Sequence, residues 1–448
     1  MAVELPDEVI VEILSILPAK SLLRCRLVCK CWLNLINSTK FKVMHLHNFN
    51  QLNPPWLDID TQIEFPLAPI RVNRCFRIIG CCNGVICLSD DDDLFRVSFS
   101  LATIILWNPS IRRKLTLPLP MFQSVGGFED PPAPFVVLGF GYDNISDDYK
   151  VVSLTYLECY PKSRPKVEVY TVKTGIWREV MFPRNLGCFY TQSEWSRIFV
   201  NGFVHWICTF DSIWSHYSIL TFDISSELFG EIQLPEFLAH KHSLKISVVG
   251  ESLAVIHSSC INFDGLRSGG STYVVMIMKE YKNPASWTTL YHVHYPDLDL
   301  GKPLQVRNNG YMVVELTNRD MIMFNHDEGC YVYVLRDGED EDEEEHSDDR
   351  TYVDRYVESL ALLDVGDSVP NKEAMKALMM IENQDSSAKY VSTYKIWVMK
   401  EYKNPISWIL IYNMHYPDIY RYRYGECFVT AKQGGYDHET KGWEYDYS

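Results

Sequence analysis

Apolar positions along this chain follow two different rhythms. Residues 5–47 carry them at helical spacing, whereas from about Cys75 to Asp364 they come in short runs broken by turn residues. Leu5-Pro6-Asp7-Glu8 reads as a helix start, because proline suits the first helical position and acids suit the first turn. Val9, Ile10, Ile13, Leu14 and Leu17 follow as an apolar stripe, and Pro18 ends it. Ser21 is placed to cap a second helix with Leu22, Leu23, Cys25 and Leu27, and Val28, Trp32, Leu35 and Ile36 form a third apolar set. Three short helices bury little surface alone, so this module needs a neighbour or a partner over its remaining apolar face. Periodicity leaves open whether it caps the next domain or docks a partner.

The longer region reads as strands and tight turns. Arg77–Gly80 and Val85–Leu88 flank Asn83-Gly84, and Phe199-Val200 and Phe203–Trp206 flank Asn201-Gly202; both are hairpin signals. Strand-like runs recur at 104–107, 136–142, 150–152, 167–170, 219–223, 247–256, 276–281, 311–316 and 321–324. The repeating phrase is hairpin, loop, strand, turn, strand, at roughly 45 to 50 residues per unit, which predicts about five propeller blades and a closing strand near 356–363. A pair of β-sandwiches accommodates the same pattern. Trp107, Trp177, Trp206 and Trp287 fall at repeating positions and are expected between blades; Asn108, Asp143 and Asn201 are expected to make turns. Recognition residues are expected on the segments 156–164, 185–197, 209–216 and 257–270, from position alone.

Composition narrows the function classes. The 448 residues are 47% hydrophobic, which excludes a disordered chain, and 27 Tyr, 21 Phe and 11 Trp favour β structure. Of the net charge of −16, ten units sit in the acidic run 337–349, leaving −6 for the rest. Phosphate-neutralising nucleic-acid binding is therefore not expected. The run reads as a solvated insertion, without the spaced ligands and central glycine of a calcium loop. The N-terminus lacks a secretory pattern and no window approaches a membrane span, so a cytoplasmic or nuclear setting is expected, in keeping with thirteen unpaired-looking cysteines. Cys25, Cys29 and Cys31 lack a second pair to complete a zinc site. No Gly-rich phosphate loop, His-Glu-x-x-His or Gly-x-Ser-x-Gly occurs, so the expectation is no cofactor, no metal and no catalytic residue.

The residues of the helical module go further than its period. The Leu5-Pro6 opening, Leu17-Pro18-x-Lys20-Ser21-Leu22 and Val28-Cys29-Lys30-x-Trp32 agree in order and spacing with the F-box, which the block 5–41 closely resembles. Cys25 departs from it, standing where many plant members have Phe. Leu106-Trp107-Asn108-Pro109-Ser110-x-Arg112, Gly139–Asp143 with Asp148–Val152, Val167–Tyr170 with Trp177-Arg178, Asn201-Gly202 with His205-Trp206, Met278–Tyr281 with Ser286-Trp287, and Tyr356–Leu360 resemble the plant F-box-associated β-propeller family. The resemblance implies a multidomain α+β chain: a small three-helix F-box followed by an all-β, kelch-like propeller. It divides into 1–47 (F-box), 48–74 (linker), 75–364 (propeller), 365–391 (linker) and 392–448 (tail).

The resemblance also implies a role. An F-box docks a Skp adaptor, here through Leu5, Pro6, Ile10, Leu14, Leu17, Leu22, Leu23, Val28 and Cys29, with Trp32 in the module core. Through that adaptor it joins cullin and RING subunits, making the chain the non-catalytic, substrate-recognising subunit of a ubiquitin ligase. The phrases at 278–281 and 358–360 are similar to S-locus F-box proteins, whose targets are basic pollen-rejection ribonucleases, and also occur in relatives without that role. The rival class is a scaffold or ligand-binding propeller acting outside a cullin complex.

The tail has its own signal. Residues 271–297 recur at 392–418, offset by 121, with much higher identity than the other units share. This indicates a partial duplication. The spare half-blade could pack on an edge, displace the original or stay loosely ordered, and it puts the C-terminal boundary near 364 in doubt.

Overall fold

The computed structural model describes residues 6–52, 77–89, 103–121, 135–156, 164–184, 186, 190–191, 197–209, 216–241, 244–258, 271–295, 300–306, 311–316, 321–325, 330–335, 356–363, 393–399, 408–415, 422–423 and 426–427. Of the expected linker 48–74, residues 48–52 belong to a helix and the rest lies outside the described residues, as do the linker 365–391 and the acidic run 337–349.

The N-terminal module contains α1 (Asp7–Ser15), α2 (Ala19–Cys25), α3 (Lys30–Asn37) and α4 (Thr39–Leu52). Its fourth helix runs past residue 47, where the sequence reading placed the end of the module. Ser21 lies inside α2, whose N-cap is Pro18. Pro18 has no side-chain acceptor to offer the first N–H groups of that helix. Cys29 caps α3, its sulfur accepting from Trp32 N at 3.4 Å.

Five four-stranded antiparallel sheets follow. They are β1 (Arg77–Cys82), β2 (Val85–Ser89), β3 (Ile104–Asn108) and β4 (Arg113–Thr116); then β5 (Phe135–Asp143), β6 (Asp148–Tyr156), β7 (Lys166–Thr171) and β8 (Ile176–Val180). The short β9 (Tyr190–Thr191) pairs with the third sheet, β10 (Arg197–Val200), β11 (Phe203–Thr209), β12 (Tyr217–Asp223) and β13 (Phe229–Gln233). After α5 (Glu236–Ala239) come β14 (Leu244–Val249), β15 (Ser252–Ser258), β16 (Ser271–Met278) and β17 (Trp287–Tyr295), then β18 (Leu300–Val306), β19 (Tyr311–Leu316), β20 (Met321–Asn325) and β21 (Cys330–Leu335).

The strands of each sheet pair in chain order, and the first strand of each sheet meets the first strand of the next, from β1 through β5, β10 and β14 to β18. This is a five-bladed propeller with first strands innermost. Residues 356–363, expected as a closing strand, form none; side chains hold them instead, as shown below.

Turn chemistry fixes the register. Asn83-Gly84 and Asn201-Gly202 both have positive φ at the two central positions, as a two-residue hairpin requires. Because the sheets are meanders, the first-to-second and third-to-fourth connections emerge on one face of the propeller. The second-to-third connections emerge on the opposite face.

The blades are stitched by side chains the sequence marks. The indoles of Trp177, Trp206 and Trp287 each donate to a carbonyl of the preceding blade's segment: Pro118 at 2.6 Å, Leu138 at 3.2 Å and Gln233 at 3.1 Å. Trp107 is fully buried. At Gly139 the Trp206 ring comes so close that a Cβ would sit 2.5 Å from its Cζ2 and 2.6 Å from Val204 Cγ1.

Blades two and three also share a buried charge cluster. Lys150 Nζ lies 2.9 Å from Asp143 Oδ2 and 3.0 Å from Glu227 Oε1, and donates to Ile224 O at 2.8 Å. Ser225 donates to Asp143 at 2.6 Å, and Arg178 pairs with Glu227. Burial opposes ionisation of both partners. Hydrogen bonds from Ser146, Ser225 and Lys150 nevertheless hold the Asp143 carboxyl well below its usual range, and Asp143 and Glu227 hold Lys150 above its own. Removing one partner would strand the others in the interior.

Blade four docks on blade three through its 279–286 turn. Tyr281 OH meets His205 Nε2 at 2.8 Å, and Lys282 Nζ stands 3.6 Å above the Phe203 ring. His205 Nδ1 faces Ile198 O at 3.4 Å, so the neutral tautomer donating there and accepting from Tyr281 satisfies both nitrogens.

The tail forms β22 (Thr393–Met399) paired with β23 (Trp408–His415), and a two-residue pair β24 (Tyr422–Arg423) and β25 (Glu426–Cys427). Thr393 pairs with His415 as Thr272 pairs with His294. The register shifts between Ile396 and Trp397 as it does between Val275 and Met276. The duplicated sequence therefore folds the same bulged hairpin, here in a two-stranded sheet. It does not match the blade-four position, because Val274 and Met276 are buried there and the copy carries Lys395 and Trp397 in their places. Exchange would put an ammonium into that core.

Two outcomes follow from this packing. Gly139→Ala should destabilise the chain by about 1–3 kcal/mol through overpacking, read as a lower urea midpoint with an unchanged slope. Burial pushes the His205 imidazole down to about 4. Between that value and about 6.5 the unfolded chain binds a proton that the folded chain refuses, so stability falls as pH drops through this window. From pH 7 to 4.5 a His205→Gln variant should lose about 2 kcal/mol less stability than the unmodified chain. Equal losses in urea titrations would contradict the assignment.

Candidate functional site

The helical module packs as a small core shared with the propeller. Leu14, Ala19, Leu22, Ile36 and Phe41 are buried together with Ile111 of the first blade and with Leu360 and Leu363. Each such aliphatic side chain contributes roughly 2 kcal/mol of burial. His45, on α4, is buried and joins α4 to the end of α1 through Nε2 and Leu17 O at 2.8 Å. Burial pushes its pKa down, consistent with a neutral ring donating to that carbonyl.

This packing divides the residues that the sequence marked for adaptor docking. Leu5 lies outside the described residues. Pro6, Val28 and Cys29 are exposed; Ile10, Leu17 and Leu23 are half-buried; Leu14 and Leu22 are fully buried in the shared core. The outward surface includes residues not selected for docking from the sequence: Val9 and Ile13 on α1, Ile16 just after it, and Leu27, which is 86% exposed beside Val28 at 65%. Their signal was present. The first helix is apolar on both sides, Val9 beside Ile10, Ile13 beside Leu14 and Ile16 beside Leu17. One side fills the module core and the other is left in water. This exposed aliphatic face offers apolar area rather than groups that move protons.

A second constellation holds the end of the propeller against its beginning. Asn108 closes β3 and its carboxamide is fully buried. Nδ2 donates to Ser359 O at 3.0 Å, Ser359 Oγ at 3.1 Å and Ala361 O at 2.9 Å. Oδ1 accepts from Ser110 N at 3.0 Å and from Tyr356 OH at 3.4 Å. Ser110 also meets Tyr356 OH through its own hydroxyl. Gly84 has φ +76 and lies against the same segment, where a Cβ would collide with the Val357 carbonyl and the Ser359 side chain. Asn108 was expected to make a turn; it does, through Ser110, and also binds a segment some 250 residues away, which spacing alone could not reveal.

The α2 helix meets the Pro109–Ile111 turn, so the helical module lies on the face carrying the tight turns. The interiors of 156–164, 185–197, 209–216 and 257–270 lie largely outside the described residues. The strand ends that flank them, Tyr156 of β6, Arg197 of β10, Thr209 of β11 and Ser258 of β15, all point to the opposite face.

Replacing Asn108 with Ala should remove the shared carboxamide and leave the Ser359 and Ala361 carbonyls unpaired, at a cost of about 2–4 kcal/mol. Hydrogen exchange should rise at 356–363 more than in the β10–β13 blade. A uniform change, or none, would contradict this role.

Comparison with known proteins fits this division. Residues 3–44 match the F-box domain, and residues 35–363 match the F-box associated beta propeller domain. An F-box/kelch-repeat protein of Arabidopsis thaliana is 26% identical over 364 residues, covering 74% of this chain and 90% of the relative. The F-box protein CPR1 of the same plant is 26% identical over 370 residues, covering 72% and 82%. An Arabidopsis thaliana F-box/WD-40 repeat-containing protein is 25% identical over 373 residues, covering 75% and 81%. With the second match taking in all five blades and ending where the Asn108 clasp ends, the chain belongs to the family of F-box proteins with an F-box associated β-propeller domain.

Proposed function

We propose that this chain is the substrate-recognising adaptor of a Skp–cullin–F-box ubiquitin ligase. The observation that carries the reading is the F-box itself, with an apolar face left uncovered after its core has packed on the propeller. That face, Val9, Ile13 and Ile16 with Pro6, Leu27, Val28 and Cys29, is assigned to the Skp adaptor. Leu14 and Leu22 serve the docking by holding the helices in place. Cullin and RING subunits join through the adaptor, and the target is held on the loop face of the propeller.

The chain's contribution is proximity. The target lysine amine attacks the thioester joining ubiquitin's C-terminal carbonyl to the conjugating enzyme. An isopeptide bond forms, the thioester breaks, and the lysine proton leaves with the departing thiol. No residue of this chain is needed in that step, in keeping with a non-catalytic subunit.

A basic ribonuclease is one target class compatible with the acidic balance of the chain. The phrases that suggest it also contain residues with structural contacts. Tyr281 docks blade four on His205, and Ser359 is held by Asn108.

Leu27→Asp with Val28→Asp tests the docking face. Both side chains are exposed, so the fold should be unchanged, while affinity for a purified plant Skp adaptor should fall at least about tenfold. Unmodified chain that folds but binds no adaptor would sink the ligase reading. Adaptor binding without cullin recruitment would favour a scaffold acting outside a cullin complex.

A further inference from the structure

The F-box and the propeller are joined by more than their connecting chain. Glu358, Ser359 and Leu360 are consecutive, and each reaches a different neighbour. The Glu358 carboxylate accepts from Ala19 N at 3.4 Å, at the start of α2, where Pro18 supplies no side-chain cap. Ser359 is gripped by Asn108 of the first blade, and Leu360 enters the core shared with Leu14 and Leu22. Leu363 enters the same core one turn later, opposite Ile111 of the Pro109–Ile111 turn. The last segment of the propeller is thus a wedge between the F-box and blade one, contacting both with polar and apolar groups.

We infer that Glu358, Leu360 and Leu363 are positioning residues: they set the orientation of the F-box on the propeller, and through it the arc within which a bound target's lysines meet the conjugating enzyme. The lysine consequence rests on the adaptor reading; the orientation itself does not. A carboxylate at a helix start and two leucines in a common core resist rotation in different directions, since the hydrogen bond fixes the first turn of α2 and the leucines fix its face. An adaptor docked on the opposite, uncovered face would inherit that orientation.

The test uses the full chain, labelled at two exposed sites, Lys40 on α4 and Ser226 in the β12–β13 turn. Labels are introduced as unnatural amino acids, and the distance distribution is read by pulsed electron resonance. The unmodified chain should give one narrow distribution. Glu358→Ala, which leaves the apolar core intact, should broaden it at least twofold; Glu358→Gln, which keeps an acceptor, should restore it. Leu360→Ala should broaden it further, with strand exchange protection in blades two to four retained. Equal widths in the unmodified chain and Glu358→Ala would overturn the assignment of Glu358. Equal widths in Leu360→Ala as well would overturn the wedge.

A second readout reports the consequence. In a ligase reconstituted with Skp adaptor, cullin and RING subunits, the set of the chain's own lysines that become ubiquitinated, mapped by mass spectrometry, should be narrow and should widen in Glu358→Ala. An unchanged set despite a broadened distance would refute the lysine-selection part alone. A chain that is never modified and recruits no adaptor would refute the adaptor reading, leaving the distance result to stand or fall separately.

Discussion

The buried carboxamide of Asn108 is the interaction on which the arrangement turns. It spends both of its polar atoms on the segment 356–363 and on its own following turn, and leaves no donor or acceptor for water. Without it, the segment 356–363, which forms no strand of its own, would be held to the first blade more weakly, through Tyr356 and Ser359 to Ser110 and by apolar packing. Leu360 and Leu363 of the F-box core lie on that same segment. One side chain therefore ties together two parts of the chain that are remote in sequence and, indirectly, the module that docks the partner.

The meander itself separates two faces of the propeller. Tight turns collect on one face of the propeller, where the F-box sits, and the longer connections collect on the other. The stitching between blades keeps those faces in register. Three tryptophans bond to carbonyls of neighbouring blade segments, a buried lysine bridges two carboxylates, and His205 holds Tyr281. These are short polar links across otherwise apolar seams. Such links add modest net stability but penalise any other alignment, because a misplaced blade would leave them buried and unpaired.

Much of this was legible in the residues. The change of period marks the two domains, the Asn-Gly pairs mark two of the hairpins, and the spaced tryptophans mark the seams. The partial duplication at 392–418 gave a hairpin with the same bulge as its template. Other features were not legible because they depend on contacts between distant segments. Nothing near Asn108 in sequence announces Ser359 as its partner. The apolar stripe of the first helix does not announce that Leu14, with Leu22 of the second, is buried in a core shared with the propeller while Val9 and Ile13 stay exposed. The fourth helix was missed because its apolar positions are interrupted by histidines, of which His45 is buried and bonded.

On the proposed reading, the uncovered face of the F-box takes the adaptor while the face shared with the propeller stays closed. Hydrogen exchange on the full chain, alone and with a saturating plant Skp adaptor, tests it most directly. New protection is expected in α1 and around residues 27–31, with no change at 356–363 or in the Pro109–Ile111 turn. Loss of protection at 356–363 on binding would mean that the adaptor must prise the F-box from the propeller, and would contradict it.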